Sequence, residues 1–107
     1  MSKPVIVLST CGNRETAQKI STELIEKHLA ACVTIVENVS FTYRWQHKVV
    51  TEPETMMIIK TVHDHTGSIE GILQRLTGFE LPEMISLEIN GGSKKYLDWL
   101  TSETERG

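Results

Sequence analysis

The chain has 107 residues, 39 % hydrophobic and 23 % charged, with a formal net charge of −3. This length suits one domain, expected over residues 1–107, and the apolar content excludes a disordered chain. An acidic balance without any Lys/Arg run argues against nucleic-acid binding, which needs a basic surface for the phosphates, and no apolar stretch reaches the ~20 residues that span a bilayer.

The residues Met1–Pro4 lead directly into a short apolar run, without the longer apolar region and small-residue cleavage site of a signal peptide, so a cytoplasmic protein is expected. Cys11 and Cys32 are too few for a disulfide framework and lack metal-motif spacing, and they read as free thiols in a reducing compartment. Folding at this size buries roughly 60–70 % of the unfolded chain's surface. The core is therefore thin, and self-association is an economical way to bury more.

Val5–Leu8 is a β-branched run that predicts a strand buried on both faces. Asn13 predicts an N-cap for an amphipathic helix with Ala17, Ile20, Leu24 and His28 on its apolar side. Ala31–Val36 predicts a second strand, and Phe41–Trp45 with Val49–Val50 predict the arms of a hairpin with its tip near Gln46–Lys48. Glu54–Val62 is a further strand, with Pro53 marking a bend or bulge. Ile69, Ile72, Leu73 and Leu76 predict a second helix, capped within Asp64–Thr66. The last strand, Met84–Ile89, alternates Ile85, Leu87 and Ile89 with Ser86 and Glu88. A turn at Asn90–Gly92 follows, then a Ser93-capped helix with Tyr96, Leu97 and Leu100 inward and Trp99 at its flank. The order βαββαβ plus a C-terminal helix predicts an α+β, ferredoxin-like sandwich.

Several segments, in order along nearly the whole chain, resemble the CutA divalent-cation tolerance family. Leu29-Ala30-Ala31-Cys32-Val33 follows the first helix; Tyr43-Arg44-Trp45 with Lys48 marks the hairpin; Glu54 with Ile58-Ile59-Lys60-Thr61 marks the next strand; Leu81-Pro82-Glu83 opens the last strand; and Tyr96-Leu97-Asp98-Trp99-Leu100 closes the chain. The resemblance implies a homotrimer similar in architecture to the PII signalling proteins. It also implies an association with tolerance of copper and other divalent cations, and it implies no catalysed reaction. The sequence departs from the family pattern at Thr77-Gly78-Phe79, where His-Pro-Tyr is usual, at Thr34 for Asn and at His47 for Gly. The family's metal-linked thiol and imidazoles align with Ser9, Leu76 and Thr77, so that metal site does not carry over.

Two groups of residues could carry chemistry. The first and third strands are expected to run parallel as neighbours, so that their C-terminal ends near Thr10 and Val62 meet and bring Cys11 to His63 and His65. A thiolate and two imidazoles suit copper or zinc, with no metal obligatory; the alternative is a set of exposed polar residues at a strand-to-helix turn. The second group, Tyr43, Trp45, Lys60 and Glu83, could line a cleft for a small anionic ligand, with Lys60 paired to Glu83, or could staple neighbouring subunits. Three functions follow: a metal-binding trimer, a PII-like ligand sensor, or a trimeric scaffold. The loop of an acylphosphatase-type enzyme and the aromatic motifs of RNA-recognition domains are both missing.

Overall fold

The computed structural model describes residues 2–105. Its first strand, β1 (Pro4–Cys11), buries Val5, Val7, Ser9 and Cys11 on one side and leaves Pro4, Ile6 and Leu8 half-buried on the other. Helix α1 (Arg14–Glu26) begins where Asn13 Oδ1 accepts from the Thr16 backbone N–H at 2.8 Å, the expected cap. It ends earlier than its spacing predicts. His28 adopts φ 58°, and the Leu29 and His28 N–H groups donate to the carbonyls of Leu24 and Ile25, a Schellman closure with His in the usual glycine position. His28 is therefore exposed and outside the helix rather than on its apolar side.

Strands β2 (Cys32–Trp45) and β3 (Lys48–Val62) are long and continuous. The two β2 segments legible in the sequence are one strand, interrupted by an irregularity between Val36 and Val39 where Asn38 takes φ 58°. Val36 faces Met56 and Val39 faces Glu54, so β2 carries one extra residue, a β-bulge. Asn tolerates the left-handed conformation better than most residues. Pro53 causes no bulge of its own. It sits opposite Ser40, beyond the Cys11–Thr55 pair that ends β1, where β3 has a single neighbour and an open edge tolerates the missing donor.

A 3₁₀ turn (His63–His65) leads into α2 (Thr66–Thr77), which no side chain caps and which Gly78 ends at φ 72°. Strand β4 (Ile85–Glu88) and helix α3 (Lys94–Glu103, capped by Ser93) complete the described elements. The sheet order is β2-β3-β1-β4 and every pairing is antiparallel. The ferredoxin-like α+β architecture is as expected, but β1 and β3 run in opposite directions rather than parallel.

Helices α1 and α2 cover one face of the sheet. Val5, Val7, Met57 and Ile59 pack there against Ala17, Ile20 and Leu24 of α1 and Ile69, Ile72 and Leu73 of α2. Burying each larger side chain contributes roughly 1.5–3 kcal/mol. Helix α3 lies against one end of the opposite face, where Leu100 packs with Ala31, Val62 and Ile89. The rest of that face has no helix over it. Ile6 and Leu8 line up there with Ile58, Leu87 and Ile85, and both β4 residues are 49 % exposed. The β4 side chains alternate, with Ile85 and Leu87 pointing to the uncovered side. Past the end of β1 the β2–β3 ribbon projects alone, giving a molecule 44 × 25 × 22 Å in extent. Its 14.3 Å radius of gyration exceeds the roughly 13 Å of a compact domain of this length.

The ribbon turns over two residues, since Trp45 pairs with Lys48, and both Gln46 (φ 50°) and His47 (φ 69°) are left-handed. That is the type I′ hairpin geometry which Asn-Gly adopts with little strain and Gln-His does not. Replacing Gln46→Asn and His47→Gly together is expected to stabilise the chain by about 1–2 kcal/mol in urea denaturation. A lower stability would show that the tip side chains make contacts worth more than the strain.

Candidate functional site

The bulge at Asn38 shifts the alternation of β2 by one residue. Before it Cys32, Thr34 and Val36 share the uncovered face with Lys60, Ile58 and Met56; after it Val39, Phe41, Tyr43 and Trp45 do so, opposite Glu54, Glu52, Val50 and Lys48. Three aromatic residues are thereby brought to the side that carries two carboxylates. Phe41 and Tyr43 meet edge to face, with centroids 5.0 Å apart. The segment after α2 forms the other wall, held by a 2.7 Å bond from the Ser9 hydroxyl to the Glu83 carbonyl. Between these walls lies a groove of about 560 Å³ lined by Tyr43, Trp45, Glu52, Glu54, Phe79 and Glu83, among others.

The groove is acidic. Burial, then the neighbouring Glu52 and Glu83 charges, raise the Glu54 pKa, and burial raises that of Glu83. Burial and the Glu52 charge push the Tyr43 phenol upward too. Among the described residues no group of three His, Cys, Asp or Glu is placed to hold a metal ion. Tyr43, Trp45 and Glu83 are therefore together as expected, but Lys60 is not with them. It faces Ile6 on one side and Cys32 on the other, at the far end of the sheet from Glu54. Without that ammonium, four glutamates outweigh the one guanidinium of Arg44, and the groove does not favour the anionic ligand anticipated from sequence. Glu52, Glu54 and Phe41 also line the groove, although the sequence marks Phe41 only as the start of a hairpin arm, Glu54 only as part of a strand and Glu52 not at all. The period-two spacing Phe41, Tyr43, Trp45 and the turn-prone Asn38 were the signals for them.

Cys11, His63 and His65 are not brought together either. Cys11 pairs with Thr55, whereas Val62, next to His63, pairs with Pro4, seven ladder positions away, or about 23 Å. The Cys11 side chain is fully buried among the α1 and α2 contacts, its sulfur 3.3 Å from the Asn13 carbonyl, and burial raises its pKa. A metal ligand needs the thiolate, which this setting disfavours. His63 is exposed on the 3₁₀ turn, its backbone N–H bonded to the Lys3 carbonyl. The His65 Nε2 lies 2.7 Å from the Thr104 carbonyl, and the His28 Nδ1 lies 3.1 Å from the Glu103 carbonyl. These two imidazoles hold the C-terminal end of α3. The set does not fit a copper centre within one chain.

Removing the His65 clamp by His65→Ala should cost about 0.5–1.5 kcal/mol, the usual net worth of one such hydrogen bond, read in urea denaturation. An unchanged midpoint would mean that Leu100 alone docks α3.

A model of the family described as "CutA1 divalent ion tolerance protein" matches residues 5–103. The chain is 36 % identical over 99 residues to the divalent-cation tolerance protein CutA of Thermus thermophilus, covering 92 % of this chain and 96 % of that protein. It is 36 % identical over 100 residues to the chloroplastic protein CutA of Arabidopsis thaliana, covering 94 % of this chain but 55 % of that longer relative. Among solved structures, CutA1 from Oryza sativa superposes with a TM-score of 0.93 at 33 % identity, covering 99 % of this chain and 97 % of the other. The Cut A1 structure from Thermus thermophilus gives 0.92 at 35 % identity, covering 95 % of this chain and 99 % of the other. Fold, segment order and sequence agree over almost the whole length, and the chain belongs to the CutA1 divalent ion tolerance family.

Proposed function

We propose that this chain is a divalent-cation tolerance protein that catalyses no reaction, is built as one domain, and works in the cytoplasm as a homotrimer with PII-like architecture. One observation carries the reading: a family member of this size has an apolar sheet face with no helix across most of it. Ile85 and Leu87 are half-exposed, Val36 is 39 % exposed, and the aromatic ribbon stands off the body. Exposed apolar patches on soluble chains mark association surfaces, and burying this one against sister copies stabilises both the face and the ribbon. Two free thiols, Cys11 and Cys32, are compatible with a reducing compartment. No described helix is long and apolar enough to cross a membrane.

In this reading copper or another divalent cation is a transient ligand, as among the described residues no three His, Cys, Asp or Glu are placed to hold one. The groove favours a second role for the same assembly, as a sensor or a scaffold that engages partners through Tyr43 and Trp45.

Light scattering on the purified protein should give three chain masses at micromolar concentration; a single-chain mass would overturn the assembly. Calorimetric titration with Cu(II) should give the same isotherm for Cys11→Ser as for the parent, since the thiol is enclosed. Loss of binding in that variant would restore Cys11 as a ligand.

A further inference from the structure

Among the described residues neither Lys60 nor the groove's glutamates Glu52, Glu54 and Glu83 are held in an ion pair. Arg44 also lines the groove but forms no such pair there. Lys60 and Glu54 lie on the same uncovered face of β3, with Met56 and Ile58 between them. Six residues apart on an extended strand, they are separated by about 20 Å and cannot reach each other. The face thus has an apolar middle, a half-buried ammonium at one end and partly buried carboxylates at the other.

Covering such a face has an electrostatic consequence. Excluding water from Ile58 and Met56 also excludes it from Lys60, which is flanked in register by Ile6 and Cys32. An ammonium desolvated without a partner is strongly destabilising, and so is a cluster of carboxylates. One contact relieves both. We propose that, in the assembled protein, the Lys60 ammonium of one copy enters the groove of the next and pairs there with Glu54 and Glu83. The groove is then incomplete in a lone chain and is a composite site with its cation supplied by a sister copy. Each copy presents both halves of the contact, and in a trimer the pairing is head-to-tail and repeats around a closed ring. The inference rests on the trimer reading and specifies its interface.

Charge reversal tests it by sedimentation across a dilution series. Lys60→Glu and Glu54→Lys alone should each raise the dissociation constant by at least about tenfold, and the double variant should return to within about threefold of the parent. The rescue cannot arise inside one chain, where the two positions are too far apart. Should a reversed variant fail to fold, Lys60→Met and Glu54→Gln complete an equivalent cycle, in which the second substitution should add little to the first. Additive effects, or single variants that assemble like the parent, overturn the pairing while leaving a trimeric parent intact. A monomeric parent overturns the trimer reading itself, and the pairing with it.

Discussion

A four-stranded sheet has two faces, and two amphipathic helices cover only one of them. In this chain α1 and α2 close over Val5, Val7, Met57 and Ile59, and the opposite face receives only the short α3 at one end. The strands are nevertheless apolar on both sides, because Ile6, Leu8, Met56 and Ile58 interleave with the buried set. A domain of about this size cannot fold back a further layer, so the second face is left for another molecule. The projecting ribbon, the exposed β4 residues and the separated charges all follow from that geometry.

Much of this was legible in the sequence because it rests on local rules. The Asn13 and Ser93 caps, the helical spacing of Ile69, Ile72 and Leu73, and the alternation of β4 are each set by a few neighbouring residues. What failed depends on non-local geometry. The expected metal group required β1 and β3 to be parallel, and strand direction follows from the whole path of the chain through α1 and β2. In the antiparallel arrangement Cys11 goes to one end of the sheet and His63 to the other. The same inversion parts Lys60 from Glu83, although both were recognised as residues of interest.

His28 shows a different failure. Its spacing continues the apolar stripe of α1, so periodicity places it on the helix. The helix stops at Glu26, two residues before it, because the chain closes through the carbonyls of Leu24 and Ile25, a step in which glycine is usual and histidine gives no warning. Its ring instead reaches the end of α3, as does that of His65. His65, a candidate ligand by its spacing, and His28, part of an apolar stripe, are thus fasteners between the ends of elements distant in sequence.

The single surplus residue in β2 has a larger reach than its size suggests. Side chains along a strand alternate, so everything from Val39 to Trp45 is phased by the bulge at Asn38. Were Asn38 paired in a regular ladder instead, with no residue removed, the register would slip by one and Ser40, Thr42 and Arg44 would face the groove while Phe41, Tyr43 and Trp45 turned to the ribbon's reverse surface. The groove would trade its aromatic wall for hydroxyls with no residue gained or lost. A lineage could therefore exchange an oily recognition surface for a hydrophilic one by a single substitution that straightens position 38.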